Sequence, residues 1–214
     1  MVPRRSFLTA LASLSGVALA RPSFTMGAAS APASDTWDLS WLDDLKGRHK
    51  QVFAVGPLRD HLPLHVVVNY LDAHREVFHL AYPDINAVVG IARQGFPINI
   101  QDALWAKYEL GRRWELKDPA TNDWAKRNIY FDAMPAPPGK VVGVKPLQAR
   151  GAIFWQCNNA LNGIVRELAT DLGRPADPIR VELIAGFNPG VKLVPAHTMA
   201  LGLAQERGCT YEQL

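Results

Sequence analysis

The chain has two cysteines, at positions 157 and 209, and the chemistry open to each depends on where the fold sets its sulfur. Cys157 joins two different patterns. Before it lies a short apolar run at 152–156, preceded by Gly151. After it, Leu161, Ile164, Val165, Leu168 and Leu172 recur at helical spacing. The run suits a strand buried on both faces of a parallel sheet. Asn158 or Asn159 can cap the helix that follows, and Gly173 with Pro175 beyond it closes the far end. A cysteine at such a join meets the unpaired N–H groups and positive dipole end of a helix. It also lies at the strand end where open α/β sheets place ligands. Two roles fit this position, an exposed low-pKa nucleophile and a buried small hydrophobe.

Other chemistry finds less support. His65, His74 and His79 fall on one expected helix, with His61 just before it, but no HExxH pattern or cysteine lies near. The pairs 61/65 and 74/79 are more than two helical turns apart, so solvated or interface histidines are expected rather than a metal site. No GxGxxG or GxxxxGK[ST] loop supports a nucleotide, and no GxSxG supports a serine hydrolase. No cofactor is therefore expected.

The elements that must position Cys157 follow from the rest of the pattern. Residues 50–55 alternate and meet Gly56-Pro57, giving a first strand. Residues 63–80 carry Leu64, Val67, Val68, Leu71 and Phe78 at helical spacing, and 84–92 form a nearly continuous apolar run suited to a second buried strand. A helix starting at Asn99 or Gln101 extends to about Trp114, and the polar stretch 115–128 reads as a surface excursion. A Pro-rich loop at 134–139 leads to a short helix at 144–149. Residues 178–185 fit either helix or strand. A strand at 191–194, a helix at 196–207 and a strand at 209–212 close the chain. Residues 37–45 read as a loosely packed segment or a single helical turn. Strands alternating with helices at this density predict a three-layer α/β/α sandwich with a mostly parallel sheet of about five strands.

Of the 214 residues, 48% are hydrophobic and 20% charged, enough for one good core. Residues 1–33 belong to another category. Arg4-Arg5 precede an uncharged, mostly apolar segment running to Ala20, too short to span a membrane, and resemble a twin-arginine export signal with a small-residue linker. Cleavage after Ala20 or after Ala33 is expected, leaving 34–214 as one periplasmic domain without a membrane span. Residues 1–33 hold three arginines and no acid. Their loss turns the net charge of +3 into 20 basic against 20 acidic side chains. Nucleic acid is thereby excluded as an expected partner. A disulfide between Cys157 and Cys209 is not expected, because in a parallel sheet one ends its strand while the other begins its own, well beyond the ~7 Å a bridge allows.

From Val141 to Tyr211 the chain resembles the DsrE/DsrF-like family of sulfur-relay proteins. The features that carry the resemblance are the helix ending in Gly151, the strand ending in Cys157, and the closing pattern from Val194-Pro195-Ala196 through Gln205-Glu206-Arg207-Gly208-Cys209-Thr210-Tyr211. The resemblance implies a small α/β sandwich that forms homo-oligomers. It also implies that Cys157 holds sulfane sulfur as a persulfide between a donor and an acceptor protein. Residues 114–139 form an insert absent from the compact pattern, and Cys209 stands where an aromatic residue is usual. The helix N-terminus would steady a persulfide anion through amides from about Asn158 to Ala160. His197 would help as an imidazolium if its loop lies beside Cys157; otherwise it is a surface histidine at a helix start. Gln156, Asn158 and Asn159 are candidate polar lining, the asparagines also simple caps. The expected function is thus a periplasmic sulfur carrier or sulfurtransferase. The alternative is a non-catalytic binding or assembly module of the cell envelope.

Overall fold

The computed structural model describes residues 37–58, 62–132, 136 and 138–214, so the expected export signal at 1–33 and His61 lie outside the described residues. The sheet is built on β2 (Ile85–Ile91), whose residues are all buried. Such a run of Val, Ile, Ala and Gly suits a strand covered on both faces. Flanking it are β1 (His49–Val55) and β3 (Ile153–Cys157), with β5 (Thr210–Gln213) outside β1 and β4 (Lys192–Val194) outside β3. The order is β4-β3-β2-β1-β5 and each pairing is parallel.

Each connection leaves one sheet face and returns to it. Helices α1 (Leu62–Phe78), α2 (Asp102–Lys107), α3 (Leu110–Arg113), α4 (Val144–Ala149), α5 (Asn158–Leu172) and α6 (Ala176–Ala185) supply the apolar residues that pack with Phe53, Val89, Ile91 and Phe154. On the other face, α7 (His197–Glu206) and a 3-10 turn at Ser40–Asp44 pack with Val52, Val88 and Trp155. The result is the expected sandwich of a five-stranded sheet between helical layers, with every strand parallel.

Several local expectations are corrected. Residues 37–45 take the second of their two expected forms, a single turn at Ser40–Asp44, and are not loosely packed: Trp41, Leu42 and Leu45 are buried, and the Trp41 ring lies 5.2 Å from that of Trp155. Residues 178–185, open between helix and strand in the sequence, are helical, within α6. The helix expected up to Trp114 is instead a 3-10 turn at Phe96–Asn99 followed by α2 and α3, broken where Glu109 takes a φ of 50°. The stretch 115–128 is more than a surface excursion. Leu116, Ala125 and Asn128 are buried, and the Asn128 amide donates to the carbonyls of Ile98 (3.0 Å) and Ile100 (2.7 Å). This polar side chain satisfies backbone groups that the 3-10 turn leaves open.

Gly90 permits the close approach of β2 to its second layer. A Cβ built there would lie 2.4 Å from Trp155 Cζ2 and 3.1 Å from His197 Cε1, so only glycine leaves room for that indole. Among the described residues no helix is long and apolar enough to cross a membrane.

Candidate functional site

The polypeptide turns from β3 directly into α5 at Cys157, which is itself the N-cap residue; the cap is not Asn158 or Asn159, as the sequence suggests. A cysteine sulfur is a weak acceptor, yet here it takes the place a Ser or Asp oxygen usually holds. The Ala160 amide donates to Sγ at 3.5 Å. A second donor arrives from a different helix. The His197 amide, at the first residue of α7, donates to the same Sγ at 3.2 Å.

The topology explains why two helix starts meet at one sulfur. Cys157 pairs in register with Val194 at the end of β4. Beyond these neighbouring ends the chain goes opposite ways, from β3 into α5 on one face and from β4 into α7 on the other. Adjacent strands whose connections diverge leave a crevice at their carboxyl ends, the place where open α/β sheets bind ligands. Both N–H groups come from first turns and have no partner within their own helices.

Side chains alternate along β3. Trp155 and Cys157 face α7, while Phe154 and Gln156 face α1 and α5. Gln156 is therefore no lining for the sulfur. It is fully buried, donates to the carbonyls of Ala92 and Cys157 (both 3.3 Å), and accepts from Asn99 Nδ2 (3.2 Å), tying the ends of β2 and β3 to the 3-10 turn.

Asn158 turns to α6, where its Oδ1 accepts from Arg180 Nη2 at 2.7 Å, while Arg180 Nη1 donates to Asn162 at 2.6 Å. One guanidinium thus fixes the first turn of α5 and with it the Ala160 amide. Arg180 was not legible as a site residue, because its segment could be read as strand or helix. Asn159 is exposed.

His197 lies beside Cys157, but its backbone amide, not its ring, meets the sulfur. Its ring stacks edge-on to Trp155, and Nδ1 accepts from Trp155 Nε1 at 3.2 Å. Accepting at Nδ1 requires a neutral ring with its proton on Nε2. Burial acts in the same direction, holding the imidazole below its ordinary value of 6.5.

A pH dependence follows. The unfolded chain takes up a proton near pH 6.5 that the folded ring resists, so this stabilisation is complete above 6.5 and is lost progressively as pH falls from there through the lower folded value. His197→Asn keeps an acceptor for the indole and removes the titration. Unfolding free energies from urea titrations between about pH 7 and 5 are expected to fall less steeply in the variant, by at most about 1.4 kcal/mol per pH unit. An unchanged slope would refute the assignment.

Cys209 occupies a different setting. It precedes β5 at the amino end of the sheet, is 6% exposed, and burial pushes its thiol up to about 11 against the opposing charge of Lys50. Both cysteines are free. His74 Nδ1 bonds to the Tyr70 carbonyl at 2.9 Å and its ring packs with His49 and Phe78. Among the described residues no group of three His, Cys, Asp or Glu gathers in a metal-binding arrangement.

No family model matches the chain. No curated protein matches it either. Among solved structures it is similar to a protein of unknown function, MTH1491, from Methanobacterium thermoautotrophicum. The two share 13% identity over 78% of this chain and 99% of that one, at a TM-score of 0.39.

Proposed function

We propose that this chain is a sulfur carrier or sulfurtransferase-like protein in which Cys157 holds sulfane sulfur as a persulfide. The observation that carries the reading is the convergence of the Ala160 and His197 amides on Sγ at the carboxyl ends of β3 and β4. Fixed N–H dipoles at such a point suit a sulfur that passes through an anionic form. The resemblance of residues 141–211 to DsrE/DsrF-like proteins supports the same role. The Arg-Arg segment supports a periplasmic setting, with a homo-oligomer serving a donor or acceptor protein.

The transfer step balances without an external oxidant. The Cys157 thiol gives up its proton, and the thiolate attacks the outer sulfur of a donor persulfide. An S–S bond forms to Cys157, the donor's S–S bond breaks, and the donor leaves as a thiolate that takes up a proton. Delivery to an acceptor thiol leads to an acceptor persulfide and regenerates the Cys157 thiol.

Cys157 is 5% exposed, and this favours a second reading, a binding or assembly module in which the cysteine only packs. The two separate in one experiment. Folded protein is treated with inorganic polysulfide and its intact mass and peptides are measured. The carrier gains one sulfur, mapped to Cys157 and removed by a thiol reductant, while Cys209 stays unmodified. No added sulfur on the folded protein, with ready addition after unfolding, would refute the carrier and leave the module.

A further inference from the structure

We infer that the crevice beneath Trp114 is a binding site for a small aromatic monoanion, a planar ring bearing one carboxylate. The crevice encloses about 510 Å³, within the ~300–1,000 Å³ usual for small-molecule sites. It opens at the carboxyl ends of β1 and β2, where Pro57 and Arg93 leave the sheet, and its far wall is Ile164 and Leu168 of α5. It is thus separate from the Cys157 sulfur, which faces the α7 layer, and the inference does not rest on the sulfur-carrier reading.

Three side chains make the crevice more than a surface hollow. The Trp114 ring is fixed by stacking on buried Phe96, with centroids 5.6 Å apart, and by donating Nε1–H to the Arg93 carbonyl at 3.2 Å. An indole held in one orientation is a platform on which a planar ring stacks. Arg93 and Arg113 line the same space, each beside an acid. Arg93 Nη2 bonds to Glu167 at 2.5 Å. Arg113 bonds through Nη1 to Asp171 at 2.5 Å and through Nε to the Tyr108 carbonyl at 2.9 Å. These contacts engage one nitrogen of Arg93 and two of Arg113, and a guanidinium carries five N–H donors. The remaining donors suit a carboxylate.

The acids of the crevice limit the charge of the ligand. Glu167 is taken up by Arg93 and Asp171 by Arg113, and Glu115 also lines the space. With three carboxylates against two guanidiniums, one carboxylate bridging the free N–H donors is the most the crevice takes, and a second is opposed. The indole and the half-buried Leu58 accept the rest of the molecule, which makes an aromatic body a better match than a bare inorganic anion.

The test uses 2-naphthoate and its neutral counterpart, 2-naphthamide, titrated into the folded protein by calorimetry, with the Trp114 indole N–H followed by NMR. The carboxylate is expected to bind at one saturable site, about tenfold or more tighter than the amide, and to shift the Trp114 signal. An Arg93→Met, Arg113→Met double variant is expected to abolish that preference. Equal binding of acid and amide, or no saturation by the acid, overturns the inference without recourse to any variant. So does tight acid binding that survives the double substitution.

Discussion

Cys157→Ser is expected to abolish sulfur uptake altogether, while Cys209→Ser leaves it intact. Serine retains the shape and the cap, since an Oγ accepts from the Ala160 amide at least as well as sulfur does. The folded state should therefore survive, and thermal midpoints within a few degrees of the parent would confirm this. What is lost is the sulfur that forms the S–S bond under the proposed role, so persulfide formation from polysulfide should drop to the background of the Cys157→Ser, Cys209→Ser double variant. Sulfur uptake retained in Cys157→Ser and lost in Cys209→Ser would reverse the assignment. That outcome would contradict the burial that holds the Cys209 thiol near 11. Arg180→Met should lie between these extremes. It frees the first turn of α5 without touching the sulfur, so any effect acts through the position of the Ala160 amide.

The largest effect on stability is expected at Trp155. Its side chain is fully buried between the sheet and the α7 layer. It packs against Trp41, fills the space Gly90 leaves, and donates to His197. Trp155→Ala removes a large ring from a site closed by Gly90, Trp41 and His197. A loss of about 3–5 kcal/mol follows, read as a fall in melting temperature of roughly 10 °C. Trp155→Phe refills much of the volume but lacks the N–H and should cost less. The same pair of variants reports on the site, because the indole steadies the residue whose amide meets Cys157. Alkylation of Cys157 is expected to quicken in Trp155→Ala. A loss below about 1 kcal/mol would show that the second layer tolerates the cavity.

Much of the sheet could be read directly from the amino acids, because a strand covered on both faces leaves a distinctive record. Ile85 to Ile91 contains one polar residue, Asn86, and that residue is spent on the Gly47 amide at 2.7 Å. The helix after Cys157 was equally legible, with its apolar stripe and with Gly173 in the left-handed region at φ 60°. What escaped depended on contacts between distant segments. Leu116 and Ala125 are single apolar residues in a polar stretch and show no period. Their burial arises from packing of residues 115–130 against α2 and α3, as in the Leu116 amide bond to the Gly111 carbonyl at 2.6 Å. Glu109 carries no glycine or asparagine to announce its turn. The site was half legible. Its cysteine and the nearer helix start lie in consecutive residues, whereas the second amide comes from a residue forty positions later that sequence pattern identified by its ring.

That separation of forty positions sets an order of events during synthesis. The strand bearing Cys157 emerges from the ribosome well before Val194 and His197, and β5, which completes the far side of the sheet, is made last of all. A nascent chain that has already packed β1, β2 and β3 still presents an uncovered thiol. The sulfur gains its second amide only when α7 docks, so a chain that stops short of residue 197 lacks half of the donor pair that meets Cys157.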